Sequence, residues 1–497
     1  MNIRVKSVRG SLVLSLGEAV VYGLSFIRNM ILARMLTKSD FGIAAALALI
    51  ITLFEFSAKL GISRFLVQDR EGNREDFLNT AHFVQGAVSV LSSLLMAVAA
   101  WPLARLFSIP DHVAALGMLA AVPLLNGLNH LDVRRFERDL RFGPATLVEA
   151  LPQVMITLAA WPVTAWLGDY RAVLVLLVAK AGLTCAGSHW LAERPYRWRL
   201  RREYALRMLR FGWPLLVTGF LMFGVLQGDQ FLVAAFYTMA DLGPYAAAGA
   251  LTLAPSFFFG RVFNTVTLPV MAGVQDEPVA FERRYRLVIA VICAFSAAYA
   301  VGMILGAEAL MRLIYGEKYA GYGVILGWLA AANSFRNVRI APTIAAMAKG
   351  DSVNSMVSNL ARVAALAPAA VVAVFGQPVW MIASTGLLGE ALACAVSFRR
   401  LSHLHGVPLA RSLHPTALVT VTVLLAGAAA CFGAHHLALV PALLLAVVGA
   451  GLAGVVVTLW LEDSRRELLS LWKGFRGVDW RREWLRLKTG GAVRTRA

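Results

Sequence analysis

Residues 36–42 read LTKSDFG and residues 237–243 read YTMADLG. Each stretch closes one apolar run and opens another, with threonine, aspartate and glycine at the same spacing. An aspartate there can cap the helix that follows, and a glycine permits a tight turn. The offset of 201 from Thr37 to Thr238 also pairs Asp40 with Asp241 and Gly42 with Gly243. It reaches back to Gly23 and Gly224, Arg28 and Asp229, and Ala33 and Ala234, and forward to Ala45 and Ala246. The two corners therefore read as the same joint in two copies of one internal repeat.

Composition makes the runs around these corners membrane spans. Hydrophobic residues make up 59% of the 497, charged residues 15%, and mean hydropathy is +0.67. A soluble domain usually carries about 25% charged residues. Apolar runs of about 20 residues, enough to cross a hydrocarbon core of about 30 Å, recur throughout. They predict helices at 11–32, 41–60, 80–102, 113–131, 144–167 and 171–192, then at 213–236, 243–268, 287–305, 323–347, 353–375 and 378–398. Two more follow at 416–434 and 438–460. The chain reads as an all-α polytopic membrane protein of about 14 transmembrane helices: two parallel six-helix lobes with pseudo-two-fold symmetry, plus two C-terminal helices. The expected organisation is an N-lobe over 1–192, a basic amphipathic linker over 193–211, a C-lobe over 212–400, helices 13 and 14 over 401–461 and a basic amphipathic tail over 462–497. Parallel repeats of this kind commonly hold a substrate site between the halves.

The net charge of +18 sits between and after the apolar runs, in loops such as RRFERDLR (134–141) and ERRYR (282–286). That distribution predicts a membrane protein with both termini in the cytoplasm. Its basic surfaces would meet anionic lipids rather than nucleic acid. The linker alternates Trp198, Leu200, Tyr204, Leu206 and Leu209 with seven arginines, as a segment lying on the membrane surface would. The apolar stretch after Arg4, Lys6 and Arg9 is too long for a signal peptide and contains Glu18 and Arg28, so it reads as a retained first span. Cys185, Cys293, Cys394 and Cys431 lie inside apolar runs without ligand spacing. His403, His405 and His414, and the pair His435 and His436, are completed by no carboxylate or cysteine. No metal or other cofactor is expected. With no phosphate-binding loop and no large outer loop for catalysis, a transporter is expected rather than an enzyme.

The segment RGSLVLSLGEAVVYGLSFIRNMILARMLTKSDFGIAAALALI (9–50) resembles the opening of the oligosaccharide flippase family, which runs from a basic residue and Gly to a leucine-rich DFG corner. GDQFLVAAFYTMADLGPYAAAGAL (228–251) resembles its seventh-helix signature, and LIYGEKYAGYG (313–323) resembles its loop before helix 10. Lys38 stands where many relatives carry proline. The resemblance is to the Wzx-type and exopolysaccharide-exporter branch of the multidrug/oligosaccharidyl-lipid/polysaccharide superfamily. It implies two six-helix lobes, alternating access, and an undecaprenyl-pyrophosphate-linked glycan as cargo, with a polysaccharide polymerase and chain-length machinery as partners. A peptidoglycan-precursor flippase and a multidrug or cation antiporter of the same superfamily are the alternatives.

A charge at mid-membrane costs roughly 2.5–3.5 kcal/mol on insertion scales, so each should face protein, water or substrate. Asn333, Arg336 and Asn337 share one helix face, as do Ser355, Ser358, Asn359 and Arg362, and Arg261 with Asn264. Guanidinium groups hold phosphate bidentately. The expected headgroup contacts are therefore Arg28, Lys59, Arg261, Arg336 and Arg339, joined by Arg362 and Asn333. Structural pairing is the competing expectation, above all for Glu55 with Lys59 and for Arg28 with Asp229. Glu18, Glu55 and Asp229 are the candidate sites for a coupling proton or sodium ion, because burial raises a carboxyl pKa.

Overall fold

The computed structural model describes residues 3–58, 61–432 and 438–460. Lys59, His435, His436 and the tail 462–497 lie outside the described residues. Helices α1 (Ile3–Met35) and α2 (Lys38–Ala58) flank the first corner. They are followed by α3 (Ile62–Gln68), α4 (Glu75–Leu106), α5 (Val113–Met118), α6 (Ala121–Gly127), α7 (Asp132–Arg138), α8 (Gly143–Leu167) and α9 (Arg171–Trp190). Helices α10 (Arg202–Phe236) and α11 (Met239–Ala272) flank the second corner. Then come α12 (Pro278–Leu305), α13 (Ala307–Tyr315), α14 (Gly323–Val338), α15 (Ile340–Ala348), α16 (Val353–Ala364), α17 (Leu366–Val374) and α18 (Val379–His405). The last two, α19 (Leu409–Phe432) and α20 (Leu439–Trp460), pack on α12. Among the described residues there is no strand.

Among the described residues, eleven helical stretches are long and apolar enough to cross a membrane, or twelve if the bent pair Pro110–Gly127 and Asp132–Arg138 is one span. The protein is thus a multi-pass membrane protein. Three expected spans are interrupted, at Leu119–Ala120, Arg339 and Ala365. A proline follows each break: Pro123, Pro342 and Pro368 lack the N–H that would bond the carbonyls of Leu119, Val338 and Ala364.

The corners divide their labour differently from the sequence expectation. Thr37 Oγ1 accepts the backbone N–H of Asp40 at 3.0 Å, and Thr238 Oγ1 accepts that of Asp241 at 3.2 Å. The Asp241 carboxylate in turn takes the backbone N–H of Thr238 at 3.3 Å, completing a capping box. Threonine is the cap and aspartate its reciprocal partner. Thr238→Ala is expected to lower stability by about 1 kcal/mol, read as a fall in the thermal midpoint in detergent; an unchanged midpoint would refute the cap's contribution.

Nor do the glycines serve a turn, since neither has a positive φ. A Cβ on Gly42 would strike the carbonyl oxygen of Met239, and one on Gly243 would strike that of Lys38. Lys38 and Met239 are themselves one repeat offset apart, so the contact is reciprocal. The two corners are each other's neighbours, with α2 crossing α11 backbone to backbone.

Around this crossing the lobes are sealed. Arg34 Nε donates to the Ile314 carbonyl at 2.8 Å, Lys318 Nζ to that of Arg34 at 3.0 Å, and Lys38 Nζ to the Tyr322 hydroxyl at 3.4 Å. One apolar core runs through both lobes here, joining Leu32, Phe41 and Leu47 to Leu242, Tyr245 and Met311. A second core joins Phe281, Ile289 and Phe398 to Val419 and Val423 of α19 and Val457 of α20, and a third packs Ile62, Phe77 and Leu78 against Tyr204 and Met208 of α10.

The basic linker is not a surface helix. Residues 192–201 form an extended strap across the first lobe, and 202–211 belong to α10. The backbone N–H groups of Glu193 and Arg194 donate to buried Asp132 at 2.9 and 3.1 Å, and Arg197 and Arg201 pair with Glu75 and Asp76. The acidic start of α4 supplies counter-charges close to the strap, so its arginines are drawn onto protein.

Candidate functional site

Glu390, on α18 and 1% exposed, is the hub of the second lobe's charges. Its Oε1 accepts from Arg336 Nε at 2.8 Å and Arg362 Nε at 3.2 Å, and its Oε2 from Arg339 Nη2 at 3.3 Å. The broken span is what delivers two of these cations, because Arg336 ends α14 and Arg339 occupies the break itself. Arg339 also donates to Ser358 Oγ at 3.1 Å and Asn359 Oδ1 at 2.8 Å, using the polar face of α16. Gly389 lets α16 come close, since a Cβ there would lie 2.6 Å from the Ala365 Cβ. Arg336 reaches the Val225 carbonyl on α10 at 3.4 Å.

Asn333, one turn before Arg336, donates to the Leu329 carbonyl at 3.0 Å. It lines a cavity of about 30 Å³ with Asp229, Gln230, Tyr245, Arg336 and Arg362. Asp229 accepts the Tyr245 hydroxyl at 2.9 Å and the backbone N–H of Gln230, also at 2.9 Å. It forms no pair with Arg28, which donates to Asn29 Oδ1 at 3.2 Å and leaves its Nε buried without an acceptor. Among the described residues no carboxylate lies within 4.0 Å of Arg28.

Glu18 and Arg261 are joined at 2.7 Å, linking α1 of the first lobe to α11 of the second. Both remain partly open to solvent. Glu55 accepts from Asn126 Nδ2 at 3.3 Å. Among the described residues the predicted ones thus fall into separate groups: Arg336, Arg339 and Arg362 on Glu390, with Asn333 and Asp229 on the adjoining cavity; Arg261 with Glu18; Glu55 with Asn126; and Arg28 apart.

Sequence reasoning gives Glu390 no part. A lone acid on α18 facing two arginine-bearing stripes was the available signal, because intramembrane charges need partners. It also misses His82, His130 and His189, which gather around Tyr196 of the strap with centroids 4.4, 5.4 and 4.9 Å from the tyrosine ring, His130 edge-on and the other two tilted. Nothing in the spacing of those histidines announces their meeting.

Residues 31–323 match the family described as "Polysaccharide biosynthesis protein". The chain is 23% identical to the succinoglycan biosynthesis transport protein ExoT of Rhizobium meliloti (strain 1021) over 63% of its length and 64% of that protein's. It is 19% identical to the lipopolysaccharide biosynthesis protein WzxC of Escherichia coli (strain K12) over 73% of this chain and 72% of the other. In fold it resembles the lipid II flippase MurJ in an inward closed conformation, with a TM-score of 0.70 at 12% identity over 92% of this chain and all of that one. An inward-facing multidrug resistance MATE family transporter superposes with a TM-score of 0.58 at 14% identity, over 78% of this chain and 96% of the other.

Proposed function

Because the chain belongs to the polysaccharide biosynthesis protein family, we propose that it is a flippase for an undecaprenyl-pyrophosphate-linked oligosaccharide. It moves the repeat unit from the cytoplasmic to the periplasmic leaflet by alternating access, for surface polysaccharide synthesis, and a polymerase with its chain-length machinery takes the product. Both termini face the cytoplasm, so the sealed corners lie on the periplasmic side. The names of the relatives support the cargo class, and the single apolar core at the corner end supports alternating access.

The observation that carries the reading is Arg28. Arg261 is met by Glu18, and Arg336, Arg339 and Arg362 by Glu390, while Arg28 has no carboxylate partner among the described residues. A desolvated guanidinium in that position is matched by an anion that comes and goes, as a diphosphate does. Arg28→Gln is expected to leave the protein level unchanged and to cut transport about 10- to 100-fold, the value of one or two hydrogen bonds to a charged group. Transport is measured in proteoliposomes with a fluorescent lipid-linked repeat unit. Undiminished flux would remove Arg28 from the path.

The whole reading is tested by deleting the gene. Loss of surface polysaccharide with the lipid-linked repeat unit retained inside is expected; normal polymer would end the proposal. Direction needs an energy source, and Glu55 and Asp229, which hold no ion-pair partner among the described residues, are the acids we assign to proton coupling. Flux indifferent to a pH gradient would refute that assignment.

A further inference from the structure

We propose that the cavity between α10, α11, α14, α16 and α18 is a site for one small monovalent anion of the halide class, separate from the path of the lipid-linked glycan. Its size comes first. About 30 Å³ holds one or two water-sized groups, which excludes a diphosphate and any sugar.

Charge decides between a cation and an anion. Arg336, Arg339 and Arg362 face two carboxylates, Glu390 and Asp229, so the cluster retains one net positive charge in a buried place. A sodium ion would add to that excess, whereas a halide cancels it.

The unused hydrogen-bonding groups point the same way. Arg362 is 4% exposed and lines the cavity, yet its only hydrogen bond among the described residues runs from Nε to Glu390. Both of its terminal nitrogens, Arg336 Nη1 and the Gln230 side-chain amide therefore remain as donors without acceptors. Asp229 is turned to other donors, accepting the Tyr245 hydroxyl and the Gln230 backbone N–H. Donors in excess, positive charge in excess and room for one small body describe an anion site.

Thermal unfolding of the purified full-length protein tests this, with chloride or bromide replaced by gluconate at matched ionic strength. Halide is expected to raise the midpoint by several degrees with saturable dependence, since a ligand that binds only the folded state stabilises it. Exchanging sodium for potassium should do nothing. Gln230→Leu, which leaves the Glu390 pairs intact, should weaken halide binding about tenfold, as loss of one hydrogen bond to a charged group does. Arg362→Gln should weaken it further, and Asp229→Asn should tighten it by removing a repelling charge. Arg28→Gln should leave the halide response unchanged. A midpoint indifferent to halide would overturn the proposal, the cavity then holding water only. So would a response that survives both Gln230→Leu and Arg362→Gln, or one that disappears with Arg28→Gln.

Discussion

Replacing Glu390 by alanine is expected to cost more stability than any other single change in the membrane-spanning region. Removing one partner of a buried ion pair costs about 3–5 kcal/mol, because the charge left behind has neither water nor counter-ion. Here three guanidiniums lose the same carboxylate at once, and each holds it at 2.8 to 3.3 Å. Total stability is only about 5–15 kcal/mol for a typical domain, so most of the variant should fail to accumulate as folded protein. Fluorescence-detected size exclusion of a tagged protein, followed by a thermal midpoint, measures this. Glu390→Gln keeps the shape and one acceptor and should fall between the two. Combining Glu390→Gln with Arg362→Met should recover part of the loss, because one uncompensated cation is then gone. If Glu390→Ala kept the wild-type midpoint, the hub would have no structural importance.

Gly42→Val is expected to abolish transport while leaving each lobe folded. The added side chain would strike the Met239 carbonyl, and a backbone atom in a capped helix cannot rotate away. The corner seam would then be held open. Leu36 is 1% exposed beside that seam, so a Leu36→Cys reporter reads its state. Labelling by a membrane-impermeant thiol reagent from outside should rise about tenfold in Gly42→Val, corresponding to a bias of about 1.4 kcal/mol toward the open seam. Gly243→Val should behave alike, since it would meet Lys38 in the mirrored contact. Gly17→Ala is the informative contrast: its clash is with the methyl group of Thr146, which can turn aside, and a small effect is expected. Equal labelling in Gly42→Val and wild type would show that the glycines do not control closure.

Much of the architecture was legible from the residues alone. Apolar runs located the helices, the repeat offset related the lobes, and the three prolines could have marked the breaks, each lying four residues after a carbonyl it cannot bond. The pairings were not legible. Arg336 meets Glu390 across 54 positions and Arg261 meets Glu18 across 243, and helical periodicity says which face a charge occupies without saying which helix faces it. The local expectation that Arg28 would answer Asp229 failed for the same reason. Tyr245 on the adjacent helix reached that acid instead. The partners of the strap were equally out of reach: Glu75 and Asp76, which lie more than a hundred residues earlier, hold Arg197 and Arg201, and Asp69 and Glu71 hold Arg207 at the start of α10.

The glycine crossing bears on how such a seam parts. An interface of interlocked leucines must expose large apolar surface as it separates, at roughly 25 cal/mol for each Å². At the glycine contact itself two backbones lie flush and present little of that surface, and the groups uncovered there include the carbonyl oxygens of Lys38 and Met239, which water can hydrate at once. That contact is a butt joint set inside the apolar core that Leu36, Phe41 and Leu242 share across the lobes. In the proposed alternating-access cycle, glycine at both corners reduces the side-chain surface that the crossing itself must uncover at each opening.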